Sequence, residues 1–296
     1  MSSSRKSRPH MACEISADSI VGARSSDHAA RLEMFTGQQL PEGSVAPDLT
    51  EANVLRGDVL RESIREVMQT LEGSSRDLIA ILPDAAARVV LLDFDTLPER
   101  REEAEAVVRF RLKKSLPFDV DRAKLSYQAQ TAGKGVKVVA AVALNSVVEE
   151  YESAFRDAGY SPGIVLPSML AALGAVEANQ PTMVVKVDAF TTSIAILDHA
   201  QLLLFRTLEN TRGLGITGEQ LAEDVYPSVV FFQDTYQLNI GRIYVAGLAE
   251  SGDALRSLQA QTGVEVHELV NRQQLGQSGG QMPGSRLAGV VGALLG

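Results

Sequence analysis

Two pairs of residues in this chain have the types and spacing to manage an anion together with a metal ion. Glu14 ends one apolar run and Ser19 opens the next, five residues on. Asp188 ends a second run and Ser193 opens the next at the same offset. A tight turn between two strands can aim backbone N–H groups at a phosphate, while an acid at the strand end manages Mg²⁺ and water. The same residue types also serve ordinary hairpins, so the repeat alone leaves a plain duplicated turn standing beside a phosphate site. Other chemistry is poorly provided. The histidines His10, His28, His199 and His267 lie far apart with no ligand spacing between any two, so they read as surface or loop residues and no metal site is expected. The single cysteine, Cys13, sits in an apolar run and can form no internal disulfide, which points to a reducing compartment.

The chain that positions these residues has 296 residues, enough for one large or two ordinary domains with real cores. Apolar residues make up 45% and charged ones 22%, as in ordinary globular proteins. With 28 Lys and Arg against 37 Asp and Glu the formal charge is −9, and there is no Trp. An acidic surface repels phosphate backbones, and no aromatic–basic interleaving offers bases a stacking platform, so nucleic acid is excluded as a partner. The longest interior apolar run, Val138 to Leu144, falls far short of the roughly 20 residues of a membrane span. The apolar end from Leu287 to Gly296 is too short and too Gly-rich to cross a bilayer. Met1 to Pro9 is Ser/Arg/Lys-rich with no apolar stretch behind it, so it is no secretory signal and reads as a disordered tail. The expected location is the cytoplasm.

Residues 10–36 read as a three-stranded meander: His10 to Ile15, Ser19 to Arg24 and Arg31 to Thr36. A helix is predicted from Asp58 to Leu71, where Leu60, Ile64, Val67 and Met68 share a face, followed by a buried strand from Leu78 to Leu82. Residues 86–160 have a character of their own. After a strand from Arg88 to Phe94, Thr96 and Glu99 have capping-box spacing and open a helix through Leu116. Its first half carries Glu99, Glu102, Glu103 and Glu105, its second Arg109, Arg111, Lys113 and Lys114, an order that complements the helix dipole. Strands from Lys124 to Thr131 and Val136 to Leu144 follow, joined by a Gly-Lys-Gly turn, then a helix capped by Ser146 and Glu149 and closed at Gly159. The meander returns as Met183 to Val187, Ser193 to Leu197 and Leu202 to Arg206. A helix from Gly218 to Leu238 should kink or restart at Pro227. A strand from Ile243 to Ala246, a helix from Ala254 to Thr262, a strand from Val264 to His267 and an apolar helix from Arg286 complete the pattern.

A duplicated strand–acid–turn–hydroxyl–strand unit is how the actin/sugar-kinase/Hsp70 superfamily builds its two phosphate loops. The middle of the chain is more specific. Leu97-Pro98, an acidic-then-basic helix, Ser115-Leu116-Pro117-Phe118-Asp119 and Leu125-Ser126-Tyr127-Gln128 together resemble the PilM family of type IV pilus assembly proteins. Ala140 to Ala143, Asp157-Ala158-Gly159, Leu166 to Ala171 and Leu287 to Leu294 continue the family order over nearly the whole chain. The resemblance implies an α/β, actin-like (duplicated ribonuclease-H-like) fold with an inserted α/β subdomain placed as in FtsA. On that reading residues 1–9 are a tail, residues 10–85 and 161–180 with the closing helix 286–296 form the first subdomain, 86–160 the insert and 181–285 the second subdomain. It also implies a cytoplasmic protein held at the inner membrane through its partners, chiefly the N-terminal tail of a PilN-like membrane protein and, beyond it, the pilus motor ATPases.

By the same resemblance the nucleotide cleft holds Glu14, Ser16, Ser19, Asp188, Thr191, Thr192 and Gly247. It departs from the family's phosphate loops. Glycine and lysine positions of the first loop are Ser16 and Val21, Asp18 presents an anion to a polyanion, and the second loop has Ala189 and Phe190 where glycines are expected. Only a loop, Thr207 to Thr217, stands where PilM-like chains carry a helical subdomain that roofs the nucleotide. The expectation is a scaffold without catalytic residues or cofactor, ATP with Mg²⁺ being at most weakly held, whose partner peptide docks between the first subdomain and the insert beside Leu116, Pro117 and Phe118. Two alternatives stay open: a working ATPase using Glu14 and Asp188, and the cytoplasmic domain of a GspL-like type II secretion protein. Chains of that last kind normally run on into a membrane helix, and this one ends at Gly296.

Overall fold

A computed structural model describes residues 8–26, 29–71, 73, 75–133, 135–199, 201–280 and 282–296. Most of the expected tail, His28 and Lys134 of the Gly-Lys-Gly turn lie outside the described residues. The elements in chain order are β1 (Met11–Ile15), β2 (Ser19–Arg24), β3 (Met34–Gln39), α1 (Gly57–Thr70), β4 (Asp77–Leu82), β5 (Arg88–Phe94), α2 (Arg101–Leu112), β6 (Ala123–Ala132), β7 (Gly135–Leu144), α3 (Asn145–Asp157), β8 (Ser161–Pro167) and α4 (Ser168–Ala172). The second half continues with β9 (Thr182–Val187), β10 (Thr191–Asp198), β11 (Gln201–Glu209), α5 (Gly218–Tyr236), β12 (Arg242–Ala246), α6 (Gly252–Thr262), β13 (Val266–Glu268), β14 (Gln277–Ser278) and α7 (Ala288–Leu295).

Two sheets repeat one topology. In the first, ordered β14-β3-β2-β1-β4-β8, β1 pairs antiparallel with β2 and parallel with β4, which pairs parallel with β8. In the second, ordered β11-β10-β9-β12-β13, β9 pairs antiparallel with β10 and parallel with β12, which pairs parallel with β13. Central strands covered on both faces must be continuously apolar, and β1 and β9 are buried along their whole length. Each sheet therefore places an acid, Glu14 or Asp188, at the carboxyl end of its central strand or just beyond it. The third sheet, β5-β7-β6, is wholly antiparallel and carries α2, with Val108 and Leu112 packed on Val138, Ala140 and Val142.

The helix faces settle which unit owns what. Leu60, Ile64, Val67 and Met68 of α1 enter one core with Val147, Tyr151, Ala154 and Phe155 of α3. Within the expected 86–160 insert, α3 thus turns its apolar face to α1, while β5, α2, β6 and β7 share a core of their own. The core between the two large sheets contains α4 and α7 together with Ile79 and Ile81 of β4 and Val184 and Ala195 of the second sheet. These two short helices cross through glycines. A Cβ on Gly292 would meet the Ala171 carbonyl oxygen, and one on Gly174 would meet that of Gly292.

Several local expectations change. α2 begins at Arg101 with no side-chain cap and ends at Leu112, so the Thr96–Glu99 box does not form. Pro98 is the reason, because the residue before a proline is driven out of the helical region. α3 begins at Asn145, which puts Ser146 inside the helix, and Glu149 pairs with Arg156 instead of capping. A capping box does open α5, where Thr217 and Gln220 bond reciprocally, and α5 runs through Pro227 as one helix. Between β11 and α5 the chain makes only a short turn of 3-10 helix, Gly213–Gly215. Among the described residues no helix is long and apolar enough to cross a membrane.

Candidate functional site

The two acid-bearing strand ends face each other across the α4–α7 layer, and what lies between them is an ion pair. Lys186, the one charged side chain in the otherwise apolar β9, reaches Glu14 of β1, with Nζ 3.1 Å from Oε1. Both side chains are buried, Glu14 at 5% and Lys186 at 7% exposure. Ser168, the first residue of α4, donates its hydroxyl to the same Glu14 oxygen. The other oxygen, Oε2, is buried without a hydrogen-bond partner and faces Gly289 of α7, where a Cβ would strike it.

Asp84, in the turn after β4, completes the cluster. Its Oδ1 accepts from the Met169 backbone N–H at 2.8 Å and its Oδ2 accepts from the Ser193 hydroxyl at 2.8 Å. One carboxylate thus joins the first unit, the start of α4 and β10 of the second unit. Burial pushes the Asp84 carboxyl up to about 6, against the attraction of Lys186 and its two hydrogen bonds. Burial also pushes Lys186 down, but the carboxylates of Glu14, Asp84 and Asp188 outweigh it and hold the ammonium above its ordinary value. Lys186 is therefore charged in the folded protein, a lone cation among three acids.

Both turns carry hydrogen bonds to their own residues. In the first, the Ser16 N–H donates to the Ser19 carbonyl at 2.9 Å, the Ser16 hydroxyl lies 2.9 Å from that of Ser19, and it donates to Asp18 Oδ1 at 3.1 Å. Arg286, just before α7, donates to Asp18 Oδ2 at 2.7 Å and to the Ser19 hydroxyl at 3.3 Å. In the second, Asp188 Oδ1 accepts from the Phe190 and Thr191 N–H groups, both at 2.7 Å, and Oδ2 accepts from the Thr191 hydroxyl at 3.0 Å. These are the amides that a phosphate loop would offer to its ligand, and here their acceptor is the loop's own aspartate. Thr192 is buried in register with Val187 of β9. Gly247 has φ +95°, lies hard against the Val187 carbonyl, and donates its N–H to Ser285 at 2.9 Å, so this position demands glycine but offers no free amide. Beside the first turn a cavity of about 340 Å³ remains, bounded by Asp18, Ser19, Ala249 and Arg286.

All seven sequence-predicted cleft residues lie on these two turns and at the neighbouring end of β12. The residues that occupy the space between the turns are others: Lys186, Asp84, Ser168 and Arg286. Lys186 had a legible signal, since a lysine inside an apolar strand is almost never buried without a partner. Among the described residues no group of three or more His, Cys, Asp or Glu is placed to hold a metal ion.

Leu116 and Phe118 are half-buried on the insert's own core, beside Val108, Leu112 and Val120, and Pro117 is exposed. The space between the insert and the rest lies elsewhere. A cavity of about 270 Å³ is walled by Leu82, Ala87 and Val148 on one side and Leu125 and Ala143 on the other. A second of about 630 Å³ continues past Tyr127 and Val139 to Leu170, Leu173 and Leu202. Ser126, Ala141 and Leu166 border both, so the two form one mostly apolar groove alongside β6, the edge strand of its sheet.

No family model matches the chain, and no curated protein matches its sequence. Solved structures do. A PilM-PilN type IV pilus biogenesis complex aligns over 97% of this chain and 98% of that one, with a TM-score of 0.79 at 18% identity. The cytoplasmic domain of EpsL, an inner-membrane component of the Vibrio cholerae type II secretion system, aligns over 95% and 93% with a TM-score of 0.53 at 9% identity. A Bacteroides thetaiotaomicron protein with an actin-like ATPase fold and unknown function aligns over 95% and 93% with a TM-score of 0.52 at 11% identity. At these identities the likeness is one of architecture, and the chain has the actin-like fold.

Proposed function

We propose that this chain is a scaffold of the type IV pilus inner-membrane assembly machinery, with a nucleotide cleft that has been converted into a structural joint. The observation that carries the reading is the Glu14–Lys186 pair, which sets an ammonium between the two turns where a nucleotide-binding relative would keep space for metal and phosphate. Loop amides committed to Asp188, and Asp18 tied to Arg286, support it. The full-length likeness to the PilM-PilN structure supports the pilus role. The partner on this reading is the N-terminal cytoplasmic tail of a PilN-like membrane protein, which would hold the chain at the inner membrane and link it to the motor ATPases.

The groove beside β6 suits such a tail: its walls are mostly apolar, and an edge strand can add an extended peptide by main-chain hydrogen bonds. It supplants the Leu116–Phe118 side as the docking place. The test is a pair of titrations on the full chain. Mg-ATP should give no binding heat up to millimolar concentration, and a PilN-like N-terminal peptide should bind, with Leu125→Asp abolishing it. Low-micromolar ATP binding would restore the ATPase reading. Peptide binding unaffected by Leu125→Asp would remove the groove.

A further inference from the structure

We infer that this chain associates with itself head to tail, the outer face of α2 in one copy seating on the outer face of α5 in the next. Eight large apolar side chains are exposed among the described residues, and five of them lie on these two helices, where Val107 and Phe110 (i,i+3) and Tyr226 and Val230 (i,i+4) each share a face. On α2 they are Val107 and Phe110, the latter 69% exposed; on α5 they are Tyr226, Val230 and Phe231, the last 46% exposed. Val107, Phe110, Tyr226 and Val230 lie on the sides of their helices turned away from their own sheets, whose cores take Val108 and Leu112 from α2 and Leu221, Val225, Val229 and Phe232 from α5, and Phe231 flanks the α5 pair on the side of β11. An aromatic pair held on a regular helix is a rigid anchor of the kind that centres protein interfaces.

The charges around the patches say what covers them. Arg111 of α2 and Lys114 in the turn just past its end follow the apolar pair, and Glu103 of α2 precedes it, all three exposed. On α5, which contains no lysine or arginine, Glu219 and Glu223 precede the patch and are exposed, and at its far end the Arg206 guanidinium lies 4.6 Å above the Phe231 ring. With the two helices antiparallel, Phe110 meets Val230 and Phe231, Arg111 and Lys114 meet Glu223 and Glu219, and Glu103 meets Arg206. Asp234 shares that last end, so the attraction concentrates on the acidic half of α5. Antiparallel helices also oppose their dipoles favourably. A patch complementary to a different patch on the same molecule makes a heterologous contact, which propagates into a ring or an open chain rather than closing as a two-fold dimer. One helix on one helix is a small interface, below about 1,200 Å² in total, so association should be micromolar or weaker.

Sedimentation velocity of the full chain, from about 1 to about 200 µM to bracket that affinity, tests the inference. The wild type should shift from monomer to a series of oligomers, and added salt should weaken the series. Phe110→Ser and Phe231→Ser should each remain monomeric alone. Mixed, they should form a one-to-one dimer and nothing larger, because each supplies the face the other lacks. Lys114→Glu should weaken association about tenfold and Glu223→Lys combined with it should restore it, a rescue that reads the contact even if a serine variant perturbs its helix. Two results overturn the inference. A wild type that stays monomeric throughout would mean that the patches serve another partner, and dimers persisting in Phe231→Ser would mean that α2 pairs with itself.

Discussion

Replacing Lys186 with methionine keeps the length and apolar stem of the side chain and deletes the one ammonium in the cluster that joins the two large sheets. Glu14 would keep only the Ser168 hydroxyl, with Oε2 already lacking a partner, at 5% exposure. Removing one member of a buried pair strands the other charge in low dielectric, at about 3–5 kcal/mol. That is at least about a fifth of the about 5–15 kcal/mol by which a folded protein is stable. Equilibrium urea unfolding of the wild type, Lys186→Met, Glu14→Gln and the double variant measures it. Glu14→Gln should cost less than Lys186→Met, because Lys186 keeps Asp84 and Asp188 as counter-charges. The double variant should cost clearly less than the sum of the singles, with a coupling of about 1–3 kcal/mol. Acid should narrow the Lys186→Met deficit as Asp84, raised to about 6, takes up its proton. A deficit within about 0.5 kcal/mol, or additive singles, would refute the joint.

Three further outcomes follow from the same geometry. The Asp84 carboxyl is raised from 3.8 to about 6, so the folded state holds its proton more tightly than the unfolded chain does. That contribution is present in full below pH 3.8 and is lost as pH rises through about 6, a change of about 3 kcal/mol that Asp84→Asn should flatten in a stability-versus-pH series. Gly247→Ala should destabilise strongly, since φ +95° and the adjacent Val187 carbonyl leave a Cβ no place, and thermal melting reads the loss. Phe118→Ala should cost less than the about 3–5 kcal/mol of a fully buried phenylalanine and leave peptide affinity unchanged, because Phe118 packs on the insert's core and not in the groove.

Much of the architecture was legible because burial writes itself into strand sequences. The mostly apolar runs at Met11–Ile15 and Met183–Val187 read as buried strands, and Glu14 near the end of the first and Asp188 just after the second marked the paired turns. What escaped were matters of pairing in space. Nothing in the amphipathic face of α3 says that its cover is α1 and not the sheet just before it in sequence, and only packing assigned it. Arg286 stands 268 residues from the Asp18 it bonds, beyond any local pattern. The departures at Ser16, Asp18, Ala189 and Phe190 raised the expectation of a poorly held phosphate, but no local pattern pointed to the Glu14–Lys186 pair. A cap such as Thr217–Gln220 and the empty box at Thr96–Glu99 share the same spacing, and the proline inside the latter was the discriminating residue.

The crossing of α4 and α7 bears on how firmly these two helices are fixed to each other on the first sheet. Main chain rests on main chain at Gly174 and Gly292, with no side-chain layer to act as a bearing. Bare backbones locked at that range cannot glide past one another by small increments, because close-packed contacts are bistable and not continuously deformable. The pair therefore behaves as one stiff layer. Leu170 of α4 and Leu173 just after it also line the groove beside β6, so whatever fills that groove presses on a layer that cannot yield by sliding.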